Sequence, residues 1–580
     1  MSILASLVRA YDRLPDAPPF GFSSEKVGFL ISLKDDGTVA HDPIPLLDGE
    51  GKKKQPRMML VPQPVKRTAG ISPNTFWDKT SYVLGVTAAE GKRTADEHAA
   101  FVKHHLDMLD GNDDAGLQAL RLFLSHWTPE QFAARQWPDE MLDQNIIFCL
   151  ESDRLNRIML HDRPAAKALW SKRGNDAASA AQICLVTGEA RPVARLHPSI
   201  KGVWGAQSSG AALVSFNLDA FTSYGHEQGD NAPVSEAAAF AYTTVLNRFL
   251  EKGSSHRIQI GDASTVFWAD AEKIEVAEQA ESLFSFFVDP QADDAEATKK
   301  IGIQLARIRQ GDHLSDIEPK LEQGVQFYVL GLAPNAARLS IRFFYEGSFG
   351  ELTRHYQSFI SEMRIEPAPR DEYPPLWRYL RETAVLGKSE NVPPNLAGEW
   401  MRAILSGAHY PMTLLSSVLM RIRADGDVNA LRVGILKALL IRNFKREAPV
   451  ALDPDNKNKG YLLGRLFAAY EQAQTAALGT KVNATIKDKF YGSASAQPRK
   501  VFALLESGSA NHLSKIGKQS PGRRVNLEKL IGGIMDSMEP GSDPFPAALN
   551  AEEQALFGLG YYHQRNEFFK KTTETSEAAQ

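Results

Sequence analysis

The apolar residues of this chain change their spacing partway along it, and that change restricts the fold more than any other feature. In the strand-like segment Leu339–Tyr345 they alternate, while beyond about residue 400 they recur at every third or fourth position. A period of two belongs to strands and one of 3.6 to helices. A Pro-rich stretch separates the two regimes: Glu366-Pro367-Ala368-Pro369, Glu372-Tyr373-Pro374-Pro375 and Val392-Pro393-Pro394. The expected fold is therefore α+β. Residues 1–395 should form a large mixed region with antiparallel sheets and helices, 396–570 a helical bundle and 571–580 a disordered tail. At 580 residues the chain is too long for one ordinary core, and it contains no internal repeat.

Individual elements follow from local signals. Val27–Leu33 reads as a strand closed by the turn Lys34-Asp35-Asp36-Gly37, and residues 41–73, rich in Pro, Gly and Lys, read as a long loop. A helix opens at Asn231-Ala232-Pro233. Two hairpins pair Arg257–Ile260 with Thr265–Trp268 across Gly261–Ser264, and Phe327–Leu330 with Leu339–Tyr345. Alternation in the last strand puts Leu339, Ile341, Phe343 and Tyr345 on one face and Arg338, Ser340 and Arg342 on the other. Tyr461, Leu462, Leu463, Leu466, Phe467 and Tyr470 form a helical stripe with Arg465 off it.

Composition excludes several classes of function. No window holds the roughly 18 to 20 consecutive apolar residues of a membrane span, and no secretory leader is recognisable. With two cysteines, Cys149 and Cys184, neither a disulfide framework nor a four-cysteine zinc site can form, which suggests a reduced, cytoplasmic setting. There is no P-loop and no convincing dinucleotide fingerprint. The pairs His41-Asp42 and His161-Asp162 lack the further ligands of a two-metal site. His104 and His105, adjacent on a helix, are expected to point apart. Cys184 with His197 lacks two zinc ligands, and Ser208-Ser209-Gly210 and Gly347-Ser348-Phe349-Gly350 lack the full nucleophile elbow. No cofactor, metal site or catalytic constellation is expected.

Charge points instead to binding. The chain is net −4, yet residues 401–530 carry 21 Lys/Arg against 9 Asp/Glu, and a second basic run spans Lys52, Lys53, Lys54, Arg57, Lys66, Arg67 and Lys79. The resemblance to a known family set out in the next paragraph makes Lys66, Arg67, Asn74, Lys79, Lys201, Asn217 and Asn231 candidates for contacts to duplex DNA, since amides and cations read base edges and Gly-rich backbone can approach a groove. It likewise makes Phe76, Trp77 and Trp204 candidate wedges or stacking platforms. Arg338, Arg342, Arg421, Arg423, Arg432, Lys437, Arg442, Arg465, Lys487, Lys489, Arg523 and Arg524 are candidate contacts to a nucleic-acid backbone. Each has a plain alternative: turn residue, core aromatic or solvated surface charge.

Six segments, in order along nearly the whole chain, resemble the large subunit of type I-C CRISPR surveillance complexes (Cascade). They are Lys66–Gly85; Leu196–Val203 continuing through Val214–Asn217, Ser223–Gly225 and Asn231–Glu236; Leu330–Phe343; Met420–Arg432; Tyr491–Ala496; and Gly560–Arg565. The resemblance implies a non-catalytic subunit that recognises a protospacer-adjacent motif in duplex DNA, helps open the duplex and stabilises the R-loop, while a crRNA reads the target. It implies as partners repeated backbone subunits, a crRNA-processing subunit, small subunits, the displaced strand and a separate helicase-nuclease. It further implies that the C-terminal part is also made as a small subunit by internal translation. A metal-dependent nuclease using His41, Asp42, His161 or Asp162, and a pure scaffold, remain as alternatives.

Overall fold

Phe29–Leu33 is apolar at four of its five positions, and such a run belongs in a strand covered on both faces. In the computed structural model all five residues are buried. The structure describes residues 2–14, 17–48, 55–65, 67, 70–89, 91–176, 181–288, 297–479, 483–539, 541 and 543–570, the side chains of 171–176 and 297–300 excepted. The chain divides into two units, Met1–Ser199 with Val214–Asn247, and Ile200–Leu213 with Arg248–Gln580. The expected tail, 571–580, lies outside the described residues, as do Lys52, Lys53, Lys54 and Lys66. Among the described residues no helix is long and apolar enough to cross a membrane.

In the first unit Phe29–Leu33 runs parallel to Asn145–Leu150, with Phe29 opposite Ile146 and Leu33 opposite Leu150. Ile44–Pro45 and Asp78–Lys79 flank this pair antiparallel. The helices Thr94–Leu109 and Ala115–His126 lay Phe101, Leu117, Leu120 and Phe123 into one core with Phe29, Ile31 and Phe148. The expected loop at 41–73 holds a strand, Gln55–Pro62, antiparallel to Phe22–Val27. Its apolar residues lie on both faces, Val61 buried and Met58 and Leu60 exposed, so no alternation marks it. The expected helix at 231 begins later, as Glu236–Phe249, with the Ser235 hydroxyl accepting the Ala238 N–H at 3.3 Å.

The second unit is built on a four-stranded antiparallel sheet, Arg257–Ile260, Ala263–Asp270, Gln326–Asn335 and Arg338–Ser348 in that order. Both expected hairpins are present, but the first turns on two residues, Gly261 and Asp262, with Ile260 opposite Ala263. In the second, Gly331 faces Phe343 while Leu332 faces Ile341, leaving Arg342 as the extra residue of a bulge. The bulge shifts the alternation, so Ile341 is exposed while Phe343 and Tyr345 remain in the core. The units part at residue 248, and the Pro-rich stretch lies inside the second, where Phe343, Trp400 and Tyr461 share one apolar cluster.

The helical part is organised by two helices whose backbones touch, Lys459–Leu478 and Ala551–Glu567. A Cβ on Gly464 would lie 2.1 Å from the Phe557 carbonyl oxygen, and one on Gly560 would lie 2.1 Å from that of Tyr461. Only glycine permits that approach. Gly464→Ala should therefore destabilise the protein by about 2–3 kcal/mol through overpacking. Gly508→Ala, at a helical position with nothing within 4 Å, should be neutral or stabilising by up to ~1 kcal/mol. Urea unfolding of the two variants checks the contrast.

Candidate nucleic-acid interface

The segment Ser72–Leu84 is held by one buried carboxylate. Asp78 is 1% exposed, and its Oδ2 accepts the Asn74 N–H at 2.8 Å and an Arg67 guanidinium N–H. Its Oδ1 accepts the Lys79 N–H at 2.9 Å. Burial pushes the Asp78 carboxyl upward, while the Asn74 N–H and the Arg67 charge pull against it. Arg67 also donates to the Ser72 carbonyl at 2.7 Å and lies 4.1 Å over the Tyr82 ring. Asn74 accepts the Val65 N–H at 3.0 Å and is buried. Arg67 and Asn74 are therefore ties within this segment, not free side chains.

The same segment sends its aromatics inward. Phe76 adopts φ +68° and donates its N–H to His105 Nε2 at 2.8 Å, while His105 Nδ1 donates to the Phe101 carbonyl at 2.8 Å. Those two bonds assign the neutral tautomer of His105. His104 reaches the same turn through Thr75, at 3.3 Å, so the adjacent histidines converge where the sequence suggested divergence. Trp77 donates its indole N–H to the Pro62 carbonyl at 2.7 Å. Phe76 and Trp77 are both core, and neither is presented as a wedge. Of the three candidate aromatics Trp204 alone is exposed, at 63%, on a loop pinned by its N–H to the Ser264 hydroxyl.

Beside this turn lies a cleft of about 560 Å³, a size typical of ligand sites, lined by Arg67, Lys79, Lys92 and Arg93 with Glu97 and Asp143. Lys79, Lys92 and Arg93 are exposed and have no carboxylate partner among the described residues. Asp143 accepts the Thr87 hydroxyl at 2.6 Å. Lys92 and Arg93 precede and cap the helix Thr94–Leu109, where a cation opposes the helix dipole. The helix's Asp96 and Glu97 offset them only in part, so the cleft is cationic and suited to an anion such as phosphate. Lys92 and Arg93 are not among the candidates that the sequence offers; a basic pair at a helix start is the signal that marks them.

Elsewhere the candidate cations separate by burial. Arg432 donates to Asp425 at 2.6 Å with Glu382 2.9 Å away, and Arg442 donates to Glu362 at 3.0 Å under the Tyr410 ring. Arg465 donates to Gln564 at 3.1 Å, and Arg421 lies 3.4 Å from Asp425. Lys437 donates to the Glu362 carbonyl at 3.1 Å, and burial pulls its ammonium down to about 8. These five are buried and are not part of a phosphate-tracking surface. For Arg432, Lys437 and Arg442 the reason is local: 11 of 13 residues of the helix Ala430–Arg442 are buried, so its cations are buried with it. Arg423, Lys489, Arg523 and Arg524 are exposed and Lys487 is half-buried, with Arg423 bonded to Gln554 and Arg524 to Glu528.

The remaining candidates are engaged. Arg342 pairs with Asp262 at 2.6 Å, and Lys201, Asn217 and Arg338 all have partners. Asn231 accepts the Ser223 N–H at 3.1 Å and donates to the His226 and Gln228 carbonyls, so it closes its own loop and does not cap the following helix. His41 Nε2 lies 3.0 Å from Glu151, and buried His161 faces the Leu60 carbonyl at 2.9 Å. Among the described residues no group of three or more His, Cys, Asp or Glu is placed to hold a metal.

Fold and cleft define an α+β protein of two units with a cationic cleft on the first. The chain belongs to the CRISPR-associated protein family Cas_Csd1, whose model matches residues 7–569. No curated protein matches it.

Removing Arg67 leaves Asp78 buried without its countercharge. Arg67→Ala should cost about 3 kcal/mol near neutral pH. A folded-state carboxyl pKa above its unfolded value makes stability fall as pH rises, because the folded state then binds more protons. The destabilisation should thus be larger at pH 8 than at pH 4.5, and Asp78→Asn in the same background should reduce that pH dependence, as read by denaturant unfolding at both pH values.

Proposed function

We propose that this CRISPR-associated chain is the non-catalytic large subunit of a type I-C surveillance complex, and that it contacts motif-bearing duplex DNA through the cationic cleft. The observation that carries the reading is the exposed set Lys79, Lys92 and Arg93, left without carboxylate partners among the described residues beside a signature segment. Each cation can take one phosphate oxygen and release a counterion, which supplies affinity without sequence information. Base pairing with a crRNA supplies the specificity, and a separate helicase-nuclease supplies the chemistry. Trp204, exposed in a Gly-rich loop of the second unit, is the candidate stacking platform. The setting we propose is the cytoplasm, in a complex with repeated backbone subunits, a crRNA-processing subunit and small subunits.

The C-terminal helices support a second product of the same gene. Tyr461 donates to His563 Nδ1 at 2.9 Å, Arg465 to Gln564 at 3.1 Å and Tyr561 to Glu471 at 2.6 Å. All three bonds, and the glycine-mediated backbone contact, lie within residues 459–567. A translation start between 450 and 458 would fall ahead of this helix pair, whereas starts at Met412 or Met420 would fall inside the helix Met412–Asp425. Residues 453–530 carry 13 Lys/Arg against 6 Asp/Glu, and Lys489, Lys515, Lys518 and Arg523 among them are exposed. A fragment of this kind bares the face that Leu436 covers at Gly558, a surface for it to set against another subunit.

Four measurements test these readings. Neutralising Lys79, Lys92 and Arg93 in the purified complex should flatten the log–log salt dependence of target binding by roughly 0.7 to 0.9 for each phosphate no longer neutralised; an unchanged slope would remove the cleft from the interface. Intact mass spectrometry of complex made from the native coding sequence should show a C-terminal product of about 125 to 130 residues. A full-length chain alone, without proteolysis, would exclude the second product. Magnesium- or manganese-dependent cleavage by the isolated chain would favour the nuclease alternative, and binding indifferent to the motif would favour the scaffold.

A further inference from the structure

We propose that residues 182–196 and 217–235 of the first unit form a docking surface for a protein partner with a basic face. The two segments are one assembly: the N–H of Leu185 donates to the Pro233 carbonyl at 2.9 Å, that of Ala194 to Val234 at 2.9 Å and that of Gly229 to Arg195 at 3.1 Å. Together they expose Ile183, Leu185, Leu196, Leu218 and Tyr224, between 43% and 101%. Exposed apolar side chains in such number mark interaction sites.

Tyr224 is the sharpest of these. It sits at φ +50°, followed by Gly225 at φ +77°, with the His226 N–H bonded to the Ser223 carbonyl at 2.9 Å. Positive φ at both central positions is a type I′ turn, and a tyrosine holds it only at a conformational cost. Asn231 fixes the turn by accepting the Ser223 N–H and donating to the His226 carbonyl. The result is a fully exposed aromatic on a rigid tip, which is the form of an interface anchor.

Charge selects the occupant. Residues 214–247 contain no Lys or Arg but include Asp219, Glu227, Asp230 and Glu236. Across the lobe Arg191 is paired with Glu189 at 2.9 Å, leaving Arg195 as the one cation outside that pair. A nucleic-acid backbone would be repelled by this surface, whereas a basic protein face would be drawn to it.

The test places p-benzoylphenylalanine at position 224 of the full chain, co-expressed with the other products of its operon, and irradiates the purified assembly. The expected result is an adduct with one protein, mapped to a Lys- or Arg-bearing peptide and absent when the probe replaces exposed Asp35. Its yield should fall when Asp219→Lys and Glu227→Lys are combined, and Tyr224→Ala should weaken retention of that protein about tenfold. An adduct with RNA or DNA would overturn the proposal, as would a protein adduct insensitive to the charge reversals, or no adduct above the Asp35 control.

Discussion

The first unit depends on one carboxylate placed where water cannot reach it. Asp78 is buried, and Arg67 with the N–H groups of Asn74 and Lys79 surrounds its carboxyl and offsets part of the burial that pushes its pKa up. Those contacts set the course of the chain over five residues. Phe76 is forced to positive φ, Phe76 and Trp77 turn into the core, and Lys79 is left pointing out at the cleft. The basic segment therefore has two kinds of cation with different duties. Arg67 balances a buried charge and organises backbone; Lys79, Lys92 and Arg93 remain available to an outside anion.

The second unit shows the same division on a larger scale. Lys437, Arg432, Arg442 and Arg465 hold helices together through carboxylates and carbonyls in the interior. Buried ion pairs of this kind contribute little net stability, but removing one partner is costly, so they fix geometry more than they add free energy. Arg442 illustrates it: Glu362 accepts from both Arg442 and Tyr410, and Arg442 also reaches the Ala403 carbonyl at 3.2 Å, locking three helical segments in one arrangement. The excess of Lys and Arg in residues 401–530 thus overstates the charge that a ligand meets.

Much of the architecture was legible because it follows from periodicity. The buried strand at 29–33, both hairpins of the second sheet and the run of helices past residue 400 are where alternation and the 3.6 period place them. What was illegible has physical causes. Gln55–Pro62 carries apolar residues on both faces, which erases its alternation, and a one-residue bulge at Arg342 reverses the phase that placed Ile341 in the core. Cations in the helix Ala430–Arg442 read as surface because charge usually is, yet that helix has no polar face, and the apolar flanks of Arg432 and Lys437 carry the contrary signal. The site was legible only in part: the segment 66–85 stood out, but Lys92 and Arg93 gain meaning only when folding brings them to Lys79.

The first unit therefore presents two surfaces of opposite character, and electrostatics alone distinguishes what each can hold. The cleft at Lys79, Lys92 and Arg93 lowers the free energy of an anion and weakens with salt, since its charges face solvent. The lobe at Leu218 and Tyr224 offers apolar area rimmed by Asp219 and Glu227, so its association should combine a salt-sensitive steering term with a salt-resistant burial term. A chain that bound only nucleic acid would gain nothing from keeping a bare tyrosine on a strained turn among carboxylates. Two exposed cations against the positive end of a helix add to its field and favour an anionic ligand. The coexistence of both is what a subunit needs if it is to hold nucleic acid with one surface and a protein with another.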